Sequence, residues 1–356
     1  MAVVENPSPD APVISLDPIT AMTSQVRRFP LAAVIAGVLG LAALLVAMFV
    51  ARSMATVPRS FLALAGGAAL WLGLQKLGAY RFGSGFSLGF YASLAYLAFV
   101  AFVTVFADLL PIENFKTTVL EDRRARPRLS FDQPLGRDTR GGSLLSQVIY
   151  AGRVSLTIVV LAVAVGLLFG SVLGLFAGYF GKWAEVIINV FVNTTLAFPP
   201  LVLLIVIAAV YNRTVWSIGA GLAIVSIPTY ARLMRAQTIS LREREFITAA
   251  RAMGASGRRI MFRDILPNAA LPVLSYTFIN AAVVIIAEGS LAYLGLSVKF
   301  PKPTWGALIA DGQDRLKTDP HIVFVPAVVM FLTVLALNRV GDWARKKAMG
   351  ERNLLG

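Results

Sequence analysis

Cysteine is absent from this 356-residue chain, and histidine occurs once, as His321. The first absence excludes disulfides, thiol nucleophiles and cysteine-ligated metals, and it removes any reading of redox compartment. The second leaves His321 without the companion ligands that a metal site needs. Charge is also scarce, with 15% of residues charged against 57% hydrophobic and a mean hydropathy of +0.73; an ordinary soluble domain has about 25% charged residues. No GxxxxGK[ST] string occurs, so the chain has no loop of that kind to cradle a nucleotide's phosphates. Acidic residues number 19 against 33 Lys and Arg, a net charge of +14. The basic residues stand at the ends of apolar runs rather than in one basic domain interleaved with aromatics, which argues against a nucleic-acid partner.

What remains is long apolar runs. A hydrocarbon core of about 30 Å takes about 20 helical residues, each satisfying its own backbone polar groups within the helix. Runs at 30–51, 60–78, 86–110, 154–179, 186–211, 214–235, 269–292 and 322–341 predict an all-α, polytopic membrane protein with about eight transmembrane helices. The run at 30–51 is longer than a signal-peptide core and starts far from the N-terminus, so it reads as an uncleaved span. Residues 1–29 lack periodicity and read as a mobile tail. Pro199 and Pro200 remove two backbone donors from the run 186–211, predicting either one kinked crossing or two half-helices. Eight crossings put both termini and the arginine-rich segment 236–268 on one side, taken as cytoplasmic. Of the 33 Lys and Arg, 18 fall on that side, a small margin; 8 of the others lie in the long loop 111–153, where the positive-inside rule is weaker.

Between Arg235 and Ala269 the chain loses its membrane character but keeps helical spacing, as in "REFITAARAMGASGRRIMFRDILPN" (244–268). Phe246, Ile247, Ala250 and Met253 fall near one face, with arginines around them. Gly254 and Gly257 allow a change of direction between a helix around 240–253 and a second around 257–265, and Pro267 suits the first turn of the next span. Such a pair fits either anionic lipid headgroups or a docking surface for another protein. Within the spans, Asn189 and Asn193 share one helix face that continues to Ala197 and Pro200, with Phe198 beside it. The face either lines a water-filled path or makes interhelical hydrogen bonds. Glu288 belongs at an outer interface or pointing inward, as a helix-end group or as part of a path. Trp305 reads as an interfacial anchor or as part of a contact surface. Arg232 and Arg235 mark the cytoplasmic end of their span.

The string Ala249, Ala250, three residues, Gly254, then Leu266 and Pro267 resembles the cytoplasmic "EAA" loop of permease subunits in binding-protein-dependent ABC importers. "PLGRDTRGGSLLSQVIYAGRVSL" (134–156), "GLFAGYFGKW" (174–183), "LAFPPLVLL" (196–204), "AEGSLAYLGLS" (287–297), "PTWGALIADG" (303–312) and "NRVGDWAR" (338–345) follow in the order of the dipeptide and oligopeptide branch, C-type subunit, so the resemblance covers about 86–345. It implies a six-helix core of the type I importer kind plus two N-terminal helices. The expected divisions are 1–29, a two-helix extension at 30–85, a first core helix and long extracytoplasmic loop at 86–153, the core domain at 154–345 with coupling helices at 240–266, and a tail at 346–356.

The resemblance also implies partners: a homologous second permease, two ATPase subunits that hold ATP and magnesium, and an extracytoplasmic binding protein, all at the inner membrane of a prokaryote, with membrane lipid around the spans. This chain would be a non-catalytic subunit taking up di- or oligopeptides; nickel or glutathione is the alternative cargo, and an ion-driven secondary transporter the alternative class. The latter would need inverted repeats and paired intramembrane carboxylates, which are not evident. Coupling to the ATPase falls on Glu245, Phe246, Ile247, Ala249, Ala250, Arg251, Met253, Gly254 and Pro267. A translocation path falls on Asn189, Asn193, Phe198 and Glu288, and binding-protein contact on Trp305. Thr248 stands where the EAA motif has its glutamate, and Gly142 and Ser143 stand where the pre-core segment commonly has Arg and Asp.

Overall fold

The computed structural model describes residues 31–46, 56–82, 86–115, 117, 125, 127, 135–299 and 302–353. The tail expected over 1–29 and the middle of the loop 111–153 lie outside the described residues. Among those described, regular structure is helical apart from one isolated bridge between Arg137 and Ser143. The chain divides into two units, 1–88 and 89–356.

In the first unit, α1 (Leu31–Leu45) and α2 (Thr56–Phe82) form an antiparallel pair. Glycines let their backbones approach: a Cβ on Gly40 would lie 2.3 Å from the Leu70 nitrogen, and one on Gly73 would lie 2.6 Å from that of Gly37. The 15 residues of α1 extend about 22 Å, short of a bilayer core.

The second unit contains α3 (Leu88–Val105, from its second residue), α4 (Leu144–Phe180), α5 (Lys182–Ala197), α6 (Pro200–Val210), α7 (Val215–Arg242), α8 (Glu245–Ala252), α9 (Gly257–Arg259), α10 (Leu266–Tyr293), α11 (Trp305–Gly312) and α12 (His321–Asn353). Among the described residues, six helices, counting 257–293 as one, are long and apolar enough to cross a membrane: α2, α3, α4, α7, the 257–293 helix and α12. The bent pair α5 and α6 makes a seventh if it is one crossing, and α1 falls short of the length that the expected eighth would need.

The α4 and α7 helices decide what the bent pair does. Gly166, Gly170, Gly174 and Gly178, one per turn, meet Ser226, Ile227, Ala231 and Thr238 in the same order, so the two helices run parallel. Chain leaving the end of α4 must therefore return to the opposite end before α7 starts. The α5–α6 pair does this as one broken crossing, bent by 86° where Phe198 and Pro199 adopt extended backbone. Pro200 then opens α6, where its missing donor costs no helical bond.

The remaining directions follow from contacts. Tyr96 on α3 donates to the Val329 carbonyl (3.0 Å), Phe90 stacks on Trp343 at 4.0 Å between centroids, and Gly289 and Gly341 on α10 and α12 face Met330 and Ile279. The α3, α5–α6 and α10 helices thus run away from the end that carries α8, while α4, α7 and α12 run toward it. Three cores stack between these ends: one around Ile247, Ile260, Ile265 and Tyr230 beside α8, one around Ile158, Leu222 and Ile285, and one around Trp305, Val148 and Val100 at the far end.

Candidate functional site

The α8 end is built by two turns. After Arg242, whose Nη1 donates to the Gly178 and Tyr179 carbonyls (3.1 and 3.2 Å), the chain breaks at Glu243 and Arg244 and starts α8 with Glu245 in its first turn, where the helix dipole favours a carboxylate. The helix closes on a glycine cap: Gly254 has φ +81°, its N–H bonds the Arg251 carbonyl (3.0 Å), and the Ala255 N–H bonds that of Ala250 (3.0 Å). Gly254 thus supplies the left-handed residue this paired bond pattern needs. The expected helix over 240–253 is therefore two helices with a turn at 243–244.

The single apolar face expected there divides. Ile247 is 0% exposed and packs, with Ala250, into the core beneath, whereas Phe246 and Met253 are 46% and 82% exposed. Thr248, Ala249 and Arg251 are also exposed, so α8 shows the outside a methionine and a phenylalanine ringed by arginines.

A separate second helix over 257–265 is not observed. Ser256 caps α9, accepting from the Arg259 N–H at 3.4 Å, and the chain continues through a π-helical turn at Ile260–Ile265 directly into α10. Pro267 explains the wide turn. It lacks an N–H and its ring would crowd the carbonyl four residues back, so the ladder opens to i−5 spacing, as in the bond from the Leu266 N–H to the Met261 carbonyl. Pro267 thus stands in the first turn of α10, as expected, but the π turn runs into that helix without a break.

In the middle of the bundle, Asn189 is half-buried and Asn193 exposed on α5. Asn193 Oδ1 accepts from Arg232 Nη2 at 2.8 Å, and Glu185 pairs with Arg235. Along the chain Glu185, Asn193, Arg232 and Arg235 are separate features; the spacing of 185 to 193 on α5 against 232 to 235 on α7 pairs them. Phe198 is exposed at the break.

At the far end, Glu288 and Trp305 prove to be interior. Glu288 is 2% exposed and its Oε1 accepts from Ser297 Oγ at 2.6 Å. Trp305 is 1% exposed; its Nε1 donates to the Val148 carbonyl (3.0 Å) and its backbone N–H to Ser155 Oγ (3.2 Å). The indole therefore joins α11 to α4 and offers no outward surface, contrary to the anchoring or contact role expected for it.

Around them Arg137, buried, pairs with Glu113 at 3.1 Å, and Arg140 pairs with Asp311 at 2.7 Å, so the pre-core segment keeps ion pairs despite Gly142 and Ser143. A cavity of about 900 Å³ opens here, lined by residues of the 138–147, 292–303 and 307–313 segments and by Arg213.

A chain of parallel and antiparallel apolar helices, broken at one crossing and carrying an exposed short helix at one end, defines a polytopic membrane subunit. Residues 170–348 match the family described as the binding-protein-dependent transport system inner membrane component, and the chain belongs to that family. It is 35% identical over 243 residues to the dipeptide transport system permease protein DppC of Alkalihalophilus pseudofirmus, covering 68% of this chain and 79% of that one. It is 33% identical over 267 residues to the di/tripeptide transport system permease protein DppC of Pseudomonas aeruginosa (72% and 86% covered). The glutathione transport system permease protein GsiD of Pectobacterium atrosepticum is 36% identical over 211 residues (59% and 70%). This chain is thus an ABC importer permease, a multi-pass component of the inner membrane.

Proposed function

We propose that this permease carries di- or oligopeptides, forming half of a path with a homologous second permease and accepting peptide from an extracytoplasmic binding protein. Two ATPase subunits, holding ATP and magnesium, supply the energy through α8. The observation that carries the coupling assignment is the exposure of Phe246 and Met253 among Arg244, Arg251, Arg258 and Arg259 at one end of the bundle. An eight-residue helix anchored through Ile247 and stopped by Gly254 is short and stiff enough to transmit a displacement to α7 and α10. On this reading the α8 end is cytoplasmic, and so is the C-terminal end of α12, which lies on the same side. Names of relatives support the peptide cargo. Uptake of labelled dipeptide, tripeptide and glutathione by cells with and without this chain, together with identification of the chains that co-purify with it, tests the reading. Uptake of glutathione alone, or purification without an ATPase, would replace it.

A further inference from the structure

The cavity of about 900 Å³ lies at the end opposite α8, between the loop before α4, the start of α7 and the segment joining α10 to α11. Small-molecule sites run from about 300 to 1,000 Å³ and combine apolar walls with a few converging polar groups. Here Tyr293, Val298 and Leu308 supply apolar wall, and six charged side chains reach the lining.

Both carboxylates among those six are already engaged. Asp138 accepts from the Gly142 and Arg140 N–H groups (2.7 and 2.9 Å) and from Gln147 Nε2 (2.7 Å), while Asp311 pairs with Arg140. Arg213 is turned onto the Gly295 carbonyl, and the Arg213 carbonyl in turn takes the Lys299 N–H at 3.2 Å, fixing these two cations at one rim. The Lys299 and Lys302 ammonium groups have no ion-pair partner among the described residues. The uncompensated charge of the cavity is therefore positive and concentrated on Lys299 and Lys302.

We propose that this cavity is an entry site that receives a peptide before it enters the membrane path, with Lys299, Lys302 and Arg213 taking the C-terminal carboxylate and the apolar wall taking a side chain. The proposal rests on the peptide reading above. A bare carboxylate fits better than a lipid phosphate because the site is a concavity with an apolar wall of side-chain size rather than an open strip along a helix.

The test uses the complex purified through this chain into nanodiscs, without binding protein, and equilibrium binding of labelled L-alanyl-L-phenylalanine. Saturable binding is expected, weakened at least about tenfold, or about 1.4 kcal/mol, by Lys299→Gln with Lys302→Gln and likewise by amidation of the probe's C-terminus. Absence of saturable binding, or retention of it by either the variant or the amide, overturns the proposal. Uptake of the same dipeptide by cells reports on the peptide reading separately: uptake that depends on this chain while nanodisc binding ignores the lysines removes the entry site alone.

Discussion

Arg232 on α7 reaches across to Asn193 on α5, its Nη2 2.8 Å from the amide oxygen, one helical turn before Arg235 closes on Glu185. The broken crossing is thereby held to the helix that leads into α8. If α8 carries the coupling proposed for it, this tie would pass an axial displacement of α7 to the segment that bends at Phe198 and Pro199.

This tie predicts non-additivity. Interhelical polar contacts in membranes average about 0.6 kcal/mol, with a maximum near 1.7. Asn193→Ala and Arg232→Ala are each expected to lower the half-inactivation temperature of the purified complex by a few degrees, and the double variant by no more than the larger of the two. A strictly additive double variant would mean that the two side chains do not act together.

The parallel pairing of α4 and α7 depends on absent side chains. A Cβ at Gly174 would lie 2.3 Å from the Ala231 carbonyl oxygen, a backbone atom that cannot rotate away. Overpacking costs about 1–3 kcal/mol where neighbours can adjust, so Gly174→Leu is expected to sit at or above that range and to abolish folded protein in detergent extracts. Gly67 on α2 is the contrasting case, since a Cβ there would meet nothing within 4 Å. Gly67→Ala is expected to be neutral or to gain up to about 1 kcal/mol of helix propensity, read as equal or higher extraction yield.

Acid should loosen the junction between α3 and α4. Asp108 accepts from Arg153 Nη1 and from Tyr150 Oη, each at 2.8 Å, and these bonds, Arg153 first, hold its carboxyl below the ordinary value of 3.8. A depressed folded-state value means that the contribution is present at neutral pH and is lost as pH falls from about 4 through the folded-state value. Amide exchange around 105–110 is therefore expected to be flat from about pH 8 to 5, once corrected for intrinsic rates, and to accelerate below about 4. Asp108→Asn should remove that step.

Much of the architecture could be read from the chain, because crossing a bilayer demands length and apolarity that local composition reveals. The break at Pro199 and Pro200 follows from missing donors, and the glycine cap at Gly254 from a φ that other residues resist. Interior placement was harder. Glu288 and Trp305 carry groups suited to an interface, and only the packing of α10, α11 and α4 shows that Ser297 and the Val148 carbonyl satisfy them inside. The wide turn before Pro267 was hidden because a proline at a helix start and a proline behind a π turn look alike in one dimension. The contact that the four glycines of α4 make becomes visible only once α7 is placed beside them.

Ile247 and Met253, six residues apart on and just beyond α8, separate folding from coupling. Ile247 is fully buried against Ile260, Ile265 and Tyr230, so Ile247→Asp places a carboxylate without a partner in that core, at a cost of several kcal/mol. The expected result is loss of folded protein. Met253 projects into the surroundings and makes no core contact, so Met253→Asp is expected to leave extraction yield and thermal inactivation unchanged. If the exposed methionine and phenylalanine form the ATPase contact, the same substitution places a negative charge at the centre of an apolar anchor and should reduce co-purification of the ATPase at least about tenfold, with uptake falling in parallel. A Met253→Asp complex that retains its ATPase and its uptake would move the contact away from α8, and a Met253→Leu variant that behaves as the parent would show that the effect belongs to the charge.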